Sequence, residues 1–284
     1  MKSSNNTIQH STLFKRPTQA IMNTSYKWVL HFTQNLQKQR INWSITPNIT
    51  AAEKKIILRS VQAWQLGETS NGSQLLCAAT KYALAIGQPT YIDAITLFIK
   101  EEQKHGNNLG KYLDAIGEQR IQRNWGDTLF RTIRHIHLSM EWWTLAVITV
   151  ESAAQVFYQC LKEATHCKLL QQICTDILID EAFHIDFQVE RMNIIYNSKA
   201  GCMKWLRRQF YKLFYFATII VIWMVHKGVF NANGSSFKQY MRKMKLKYAK
   251  TLGRVGAAKA TSQPNSLSIR GIDELNSYLK SATN

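Results

Sequence analysis

Two Glu-x-x-His pairs carry the chemistry that this sequence advertises: Glu102/His105 and Glu181/His184. Residues three apart on a helix share a face, so each pair points one carboxylate and one imidazole the same way. Each pair also interrupts an apolar stripe. Tyr91, Ile95 and Phe98 precede the first, and Leu109 and Leu113 follow it. Leu170, Ile173 and Ile177 precede the second; Met192 and Ile195 follow it, beyond a polar Gln188. A carboxylate buried among such residues loses its hydration, which is costly unless a cation compensates. Carboxylate and imidazole donors without thiolate suit iron or manganese.

One such pair is weak evidence. With eleven Glu and eight His in 284 residues, random scatter yields about 0.3 pairs. A third pair, Glu163/His166, falls about 120° around the helix from Glu151 and is set aside on that register. The arrangement of the other two is more specific. A di-metal helical bundle takes one Glu from each of two helices and Glu-x-x-His from each of the other two. The order here is Glu68, Glu102/His105, Glu151, Glu181/His184. Glu68 and Glu102 are 34 residues apart, and Glu151 and Glu181 are 30 apart, which fits two helical hairpins joined by a longer crossover. Four carboxylates offset the charge of two dications. Glu68 lies beside Gly67 and close to Gly72, which weaken a helix; Glu53 is its substitute, but far from any matching level.

These ligands require four helices to carry them. Apolar periodicity predicts helices over about 51–86 (with a break near 67–72), 90–116, 140–165 and 167–197. A basic helical stretch with Arg131, Arg134, His135 and His137 is expected over about 126–138. No strand pattern and no internal repeat is present. The expected class is all-α, a ferritin-like four-helix bundle with additional helices. Its domain would span 46–230, between a mobile N-terminal tail (1–45) and a basic C-terminal extension (231–284). Leu213 to Val225 is an apolar run flanked by Arg207, Arg208, Lys212 and Lys227. It falls short of the roughly 20 residues needed to span a bilayer, so a buried or interfacial helix is expected there.

The net charge is +18 and calls for an anionic partner: an acidic carrier protein or an anionic lipid surface. Nucleic acid is disfavoured, because no zinc-finger, RRM or P-loop signature supports the basic stretch Lys238–Lys250. Residues 1–19 lack the apolar region of a secretory signal, and five unpaired-looking Cys read as reduced thiols. The expectation is a cytoplasmic chain, with peripheral attachment to a membrane as the alternative to free solution.

Around the ligands the sequence resembles a known family. EEQKHGNNLGKYLDAIG (Glu101 to Gly117), DEAFH (Asp180 to His184) and GETSNG around Glu68 are similar to the motif segments of the soluble acyl-carrier-protein desaturases. That resemblance covers roughly residues 65–200. It implies a ferritin-like fold, two iron ions (with manganese as the other metal) and dioxygen activation on an acyl chain. It also implies a ferredoxin-like electron donor and a homodimer. Carried onto this chain, it makes Glu68, Glu102, His105, Glu151, Glu181 and His184 the metal ligands, and Asp180 the partner of a ligand histidine. Two positions depart from the family. Ala154 stands where a Thr follows the third-helix Glu, and Ala182-Phe183 replace a Lys-Arg pair. Other reactions share this ligand set, so an arylamine N-oxygenase and a non-catalytic iron-handling protein remain alternatives.

Overall fold

The computed structural model describes residues 19–126, 128 and 139–256. The α-helices that build the fold among them are α1 (Gln19–Leu36), α2 (Ala51–Glu68), α3 (Ser73–Ala85), α4 (Thr90–Ala115), α5 (Met140–Ala164), α6 (Lys168–Asn197), α7 (Gly201–Ala232) and α8 (Phe237–Lys250). The described residues contain no strand. The basic stretch expected over 126–138, with Arg131, Arg134, His135 and His137, lies almost wholly outside the described residues, as do 1–18 and 257–284.

Helix ends follow local chemistry. The Thr50 side chain accepts from the Glu53 amide while Glu53 reaches back to Thr50, a reciprocal cap at the start of α2. Ser139 caps α5 by accepting from the Trp142 amide. The break expected near 67–72 is real and separates α2 from α3. Gly72 occupies the left-handed region there (φ 64°), and a Cβ on it would lie 2.7 Å from the Ile99 side chain.

Helices α2, α4, α5 and α6 form the central bundle of a ferritin-like fold, with α2 against α4, α4 against α6, and α5 along α6. Trp64 of α2 stacks on Phe157 of α5 at 5.0 Å between ring centroids. One core cluster surrounds Phe157, Leu161, Ile173 and Ile177. A second, around Phe32, Tyr91, Phe98 and Phe187, lies under α1. Cys160, Cys167 and Cys174 are buried free thiols.

Two expectations need correction. Residues 19–36 are not tail: α1 packs along α4 and buries Trp28, Phe32 and Asn35. Trp28, Val29, Phe32 and Leu36 do form an amphipathic pattern; the polar residues before Gln19 masked it, and the α4 surface supplies the rest of the interface. The boundary at 230/231 also dissolves. α7 runs through it to Ala232, and α8 buries Tyr240 and Met244 against α5 and α7. The run 213–225, expected as a buried or interfacial helix, is the middle of a 32-residue helix that is buried on one face only.

Candidate metal centre

The six residues expected to be ligands come together. Glu68 is the last residue of α2; Glu102 and His105 lie midway along α4, Glu151 midway along α5, and Glu181 and His184 midway along α6. Glu102, Glu151, Glu181 and His184 offer donor atoms that all lie within 4.8 Å of one another, and so do Glu68, His105 and Glu181. Glu181 belongs to both groups, so the two potential cation positions share an edge. His105, Glu181 and His184 have no exposed surface.

The inward-facing atoms lack hydrogen-bond partners. Glu102 Oε1, His105 Nδ1, both Glu181 carboxylate oxygens and His184 Nδ1 are buried and unsatisfied. His184 Nδ1 lies 2.8 Å from Glu102 Oε1 and 3.7 Å from Glu181 Oε2, and His105 Nδ1 lies 3.9 Å from Glu181 Oε1. These contacts crowd lone pairs together without hydrogen-bond geometry. Buried polar atoms left this way are costly, and cations among them remove the cost. Among the described residues, no Lys or Arg forms an ion pair with Glu68, Glu102, Glu151 or Glu181. The donor set therefore fits two divalent metal ions, each reached by carboxylate oxygens and an imidazole nitrogen.

The outward-facing atoms are fully engaged, in a crossed pattern. Asp180, which precedes Glu181, lies 3.1 Å from Nε2 of His105 on α4. Glu101, which precedes Glu102, lies 2.8 Å from Nε2 of His184 on α6. Each motif thus supplies the acid that backs the other motif's histidine. With Nδ1 turned to a metal, Nε2 carries the proton and donates it to that acid, fixing tautomer and ring orientation. Asn35 of α1 ties the two acids together, donating to Glu101 and to Asp180 at 2.8 Å each. Arg40 donates to Asp176 at 2.6 Å and to Asp180 at 2.9 Å, and Lys104 donates to Asp180 at 2.7 Å. The Tyr158 hydroxyl donates to Glu68 at 2.8 Å.

The sequence reading identified Asp180 and missed Glu101, Asn35, Arg40 and Tyr158. Glu101 was findable, because it holds the same place before its motif Glu as Asp180 does. Asn35 and Arg40 sit in the segment read as tail, and no local signal marks them.

Burial pushes the carboxyls of Glu68 and Glu151 well above the ordinary range, and their acidic neighbours, Glu102 and Glu181 respectively, push them further. Burial and then Glu151 raise Glu102. Burial also raises Glu181, to about 7, a rise that the nearness of Glu151 and His184 partly offsets. For His184, burial opposes the charged form, but Glu102 and Glu101 hold the imidazole well above its usual value. Burial works against the Asp180 carboxylate too, yet His105 and Lys104 keep it well below the usual range. The metal-free pocket therefore retains protons on its inner ring, and its outer acid stays ionised.

A cavity of about 330 Å³ opens beside Glu68, Glu102 and Glu151. Its walls are largely apolar, from Trp64, Leu75, Phe98, Ile99, Trp143 and Val147, with Ser70, Asn71, Ser73 and Gln74 along one side. Among the described residues, no Lys, Arg or His lines it.

No protein-family model and no curated protein matches the chain. Solved structures do resemble its fold. A point variant of an R2-like ligand-binding oxidase, with an aerobically reconstituted Mn/Fe cofactor, is 15% identical, with a TM-score of 0.59 over 91% of this chain and 100% of that one. An R2-like ligand-binding oxidase after a long soak, again with an aerobically reconstituted Mn/Fe cofactor, is also 15% identical, with a TM-score of 0.55 over 88% of this chain and 98% of that one.

Proposed function

We propose that this chain is a non-haem di-metal oxidoreductase that turns dioxygen on a long apolar substrate, with a fatty-acyl chain as the substrate class. The observation that carries this reading is the ring of unpartnered carboxylate and imidazole atoms beside an apolar cavity. Glu68 and His105 would hold one metal ion, Glu102, Glu151 and His184 the other, and Glu181 would reach both. Two iron ions, or manganese with iron as in the structural neighbours, supply redox chemistry with dioxygen when bound.

The chain's own residues prepare that chemistry. Asp180 and Glu101 keep Nε2 of His105 and His184 protonated and leave Nδ1 free to coordinate. Asn35 locks the two acids at one spacing. Trp64, Phe98, Ile99, Trp143 and Val147 exclude water from the face where substrate would lie, which protects a reactive centre from side reactions. The polar group of a substrate would meet Ser70, Asn71, Ser73 and Gln74. The described walls are apolar over most of their extent and hold no cationic side chain, which fits an alkyl chain. Ala154 supplies no hydroxyl near Glu151; the hydroxyl held against a ligand here is that of Tyr158.

An acidic acyl carrier, a ferredoxin-like donor and a homodimeric assembly are the partners that the desaturase resemblance proposes. An arylamine would fit the same cavity, and product analysis separates the two. Anaerobic Fe²⁺ titration should saturate at two ions per chain. The reduced protein should then consume oxygen faster with an acyl thioester present and release an oxidised acyl product. Saturation at one ion or none refutes the metal centre. Two ions with no acyl effect, but oxidation of an arylamine, replaces the substrate class. Ferric mineral as the sole product makes the chain an iron-handling protein.

A further inference from the structure

Helix α7 is buried on one face only. Tyr211, Tyr215, Ile219, His226, Val229 and Phe230 enter the fold, where α7 packs on α2, α5 and α8. The opposite face presents Leu206, Phe210, Leu213, Ala217, Ile220 and Met224, all exposed, at alternating intervals of four and three residues. Leu213 is 71% exposed and Met224 53%. This stripe runs for about 27 Å at 1.5 Å per residue. Soluble surfaces rarely present a contiguous apolar strip of that length without a partner.

By length and composition α7 is apolar enough to cross a membrane, and 28% of its apolar window is buried. Crossing would strip those core side chains from the bundle, so the helix cannot span while the fold persists. Its charge environment points to what covers it. Residues 201–250, which hold α7 and α8, contain eleven Lys and Arg and no Asp or Glu. A second copy of the same face would bring the same cations, and Glu141, the acid beside α7, is already paired with Arg207. A nucleic acid would satisfy the cations and leave the apolar stripe in water. An anionic lipid surface satisfies both: acyl chains take the stripe, and phosphates take the basic residues.

We infer that α7 lies in the plane of an anionic membrane interface, seated on its Leu206–Met224 stripe, with the basic residues of α7 and α8 reaching the headgroups. The placement is independent of the oxygen chemistry and is read on metal-free protein. Full-length chain is sedimented with vesicles of phosphatidylcholine alone and with vesicles that also contain phosphatidylglycerol. Wild type should bind the anionic vesicles and not the neutral ones, and binding should weaken as salt rises from roughly 0.1 to 0.5 M. Leu213→Glu should weaken the partition by roughly tenfold to a hundredfold, the loss of one buried leucine side chain. Leu213→Phe should bind as wild type. Position 213 lies outside the core, so helicity and metal stoichiometry should stay unchanged in both variants. Equal vesicle binding by wild type and Leu213→Glu overturns the assignment, since charge alone would then suffice. Absence of vesicle binding also overturns it. If wild type then sediments as a dimer and Leu213→Glu as a monomer, a second copy covers the stripe instead.

Discussion

Replacing Glu181 with Gln should stabilise the metal-free protein and at the same time remove its stabilisation by metal. Glu181 has no exposed surface and titrates near 7, against an ordinary carboxyl at 4.5. At pH 7 it is half protonated in the fold and ionised in the unfolded chain, so folding works against that shift. Linkage puts the cost at about 3 kcal/mol. The sign follows from the raised folded value. The penalty is full above about pH 7, shrinks as pH falls, and vanishes below about 4.5, where both states are protonated. The glutamine amide carries no charge and can donate to Glu151. The metal-free variant should therefore melt higher than wild type by about 6–12 °C at pH 7, taking roughly 2–4 °C per kcal/mol for a domain of this size. That gain should fade toward pH 4.5. Metal inverts the order. Glu181 is the one residue common to both donor groups, so the substitution would cost each metal ion an anionic contact. Saturating Mn²⁺ should raise the wild-type melting temperature and leave the variant nearly unmoved. Calorimetry with chelator and with Mn²⁺, at pH 7 and near pH 5, reads both effects and their pH dependence. A metal-free variant that melts below wild type, or one that gains as much from Mn²⁺, refutes the shared pocket.

Asp180→Asn should lower metal affinity by about tenfold to a hundredfold, because the His105 ring loses the anion that orients it; competition with a chromophoric chelator measures this, and unchanged affinity would detach Asp180 from the centre. Gly106→Ala should weaken metal binding from a distance, since its Cβ would lie 2.6 Å from Thr69 Cγ2 and 2.9 Å from the Thr69 backbone nitrogen, forcing α2 and Glu68 away at a cost of about 1–3 kcal/mol; equal stoichiometry and melting temperature would show that α2 yields freely. His226, held 3.0 Å from Ser60 Oγ and lowered by burial to about 3, stays neutral in the fold while the unfolded chain protonates below about 6.5. Its contribution is therefore present above 6.5 and lost as pH falls toward 3. Metal-free wild type should lose about 2 kcal/mol more than His226→Gln between pH 7.5 and 5, and parallel losses in chemical denaturation would refute that role.

The inner ring was legible in the sequence because its constraints are local. Two Glu-x-x-His pairs share a helical face by the period of the helix, and the hairpin spacings return Glu68 and Glu151 to the same level. The helix register of α4, α5 and α6 follows from their apolar stripes, and the break after Glu68 from Gly67 and Gly72. Asp180 came from the family likeness, and Glu101 could have come from its matching place one residue before its motif. What surrounds the ring was decided only by tertiary packing. Asn35 and Arg40 acquire their roles because α1 docks on α4 and carries them to Asp180, and nothing within residues 19–40 encodes that contact. The cavity wall combines residues from α2, α3, α4 and α5 that no single periodicity groups together. The fate of 213–225 was likewise undecidable from composition, because an apolar run reads the same whether neighbours cover both faces or one. Packing against α2, α5 and α8 buries Tyr215 and Ile219 and leaves Leu213 outside. Hydrophobic patterning reports which residues prefer to leave water, and only the folded arrangement determines which of them find protein to leave it for.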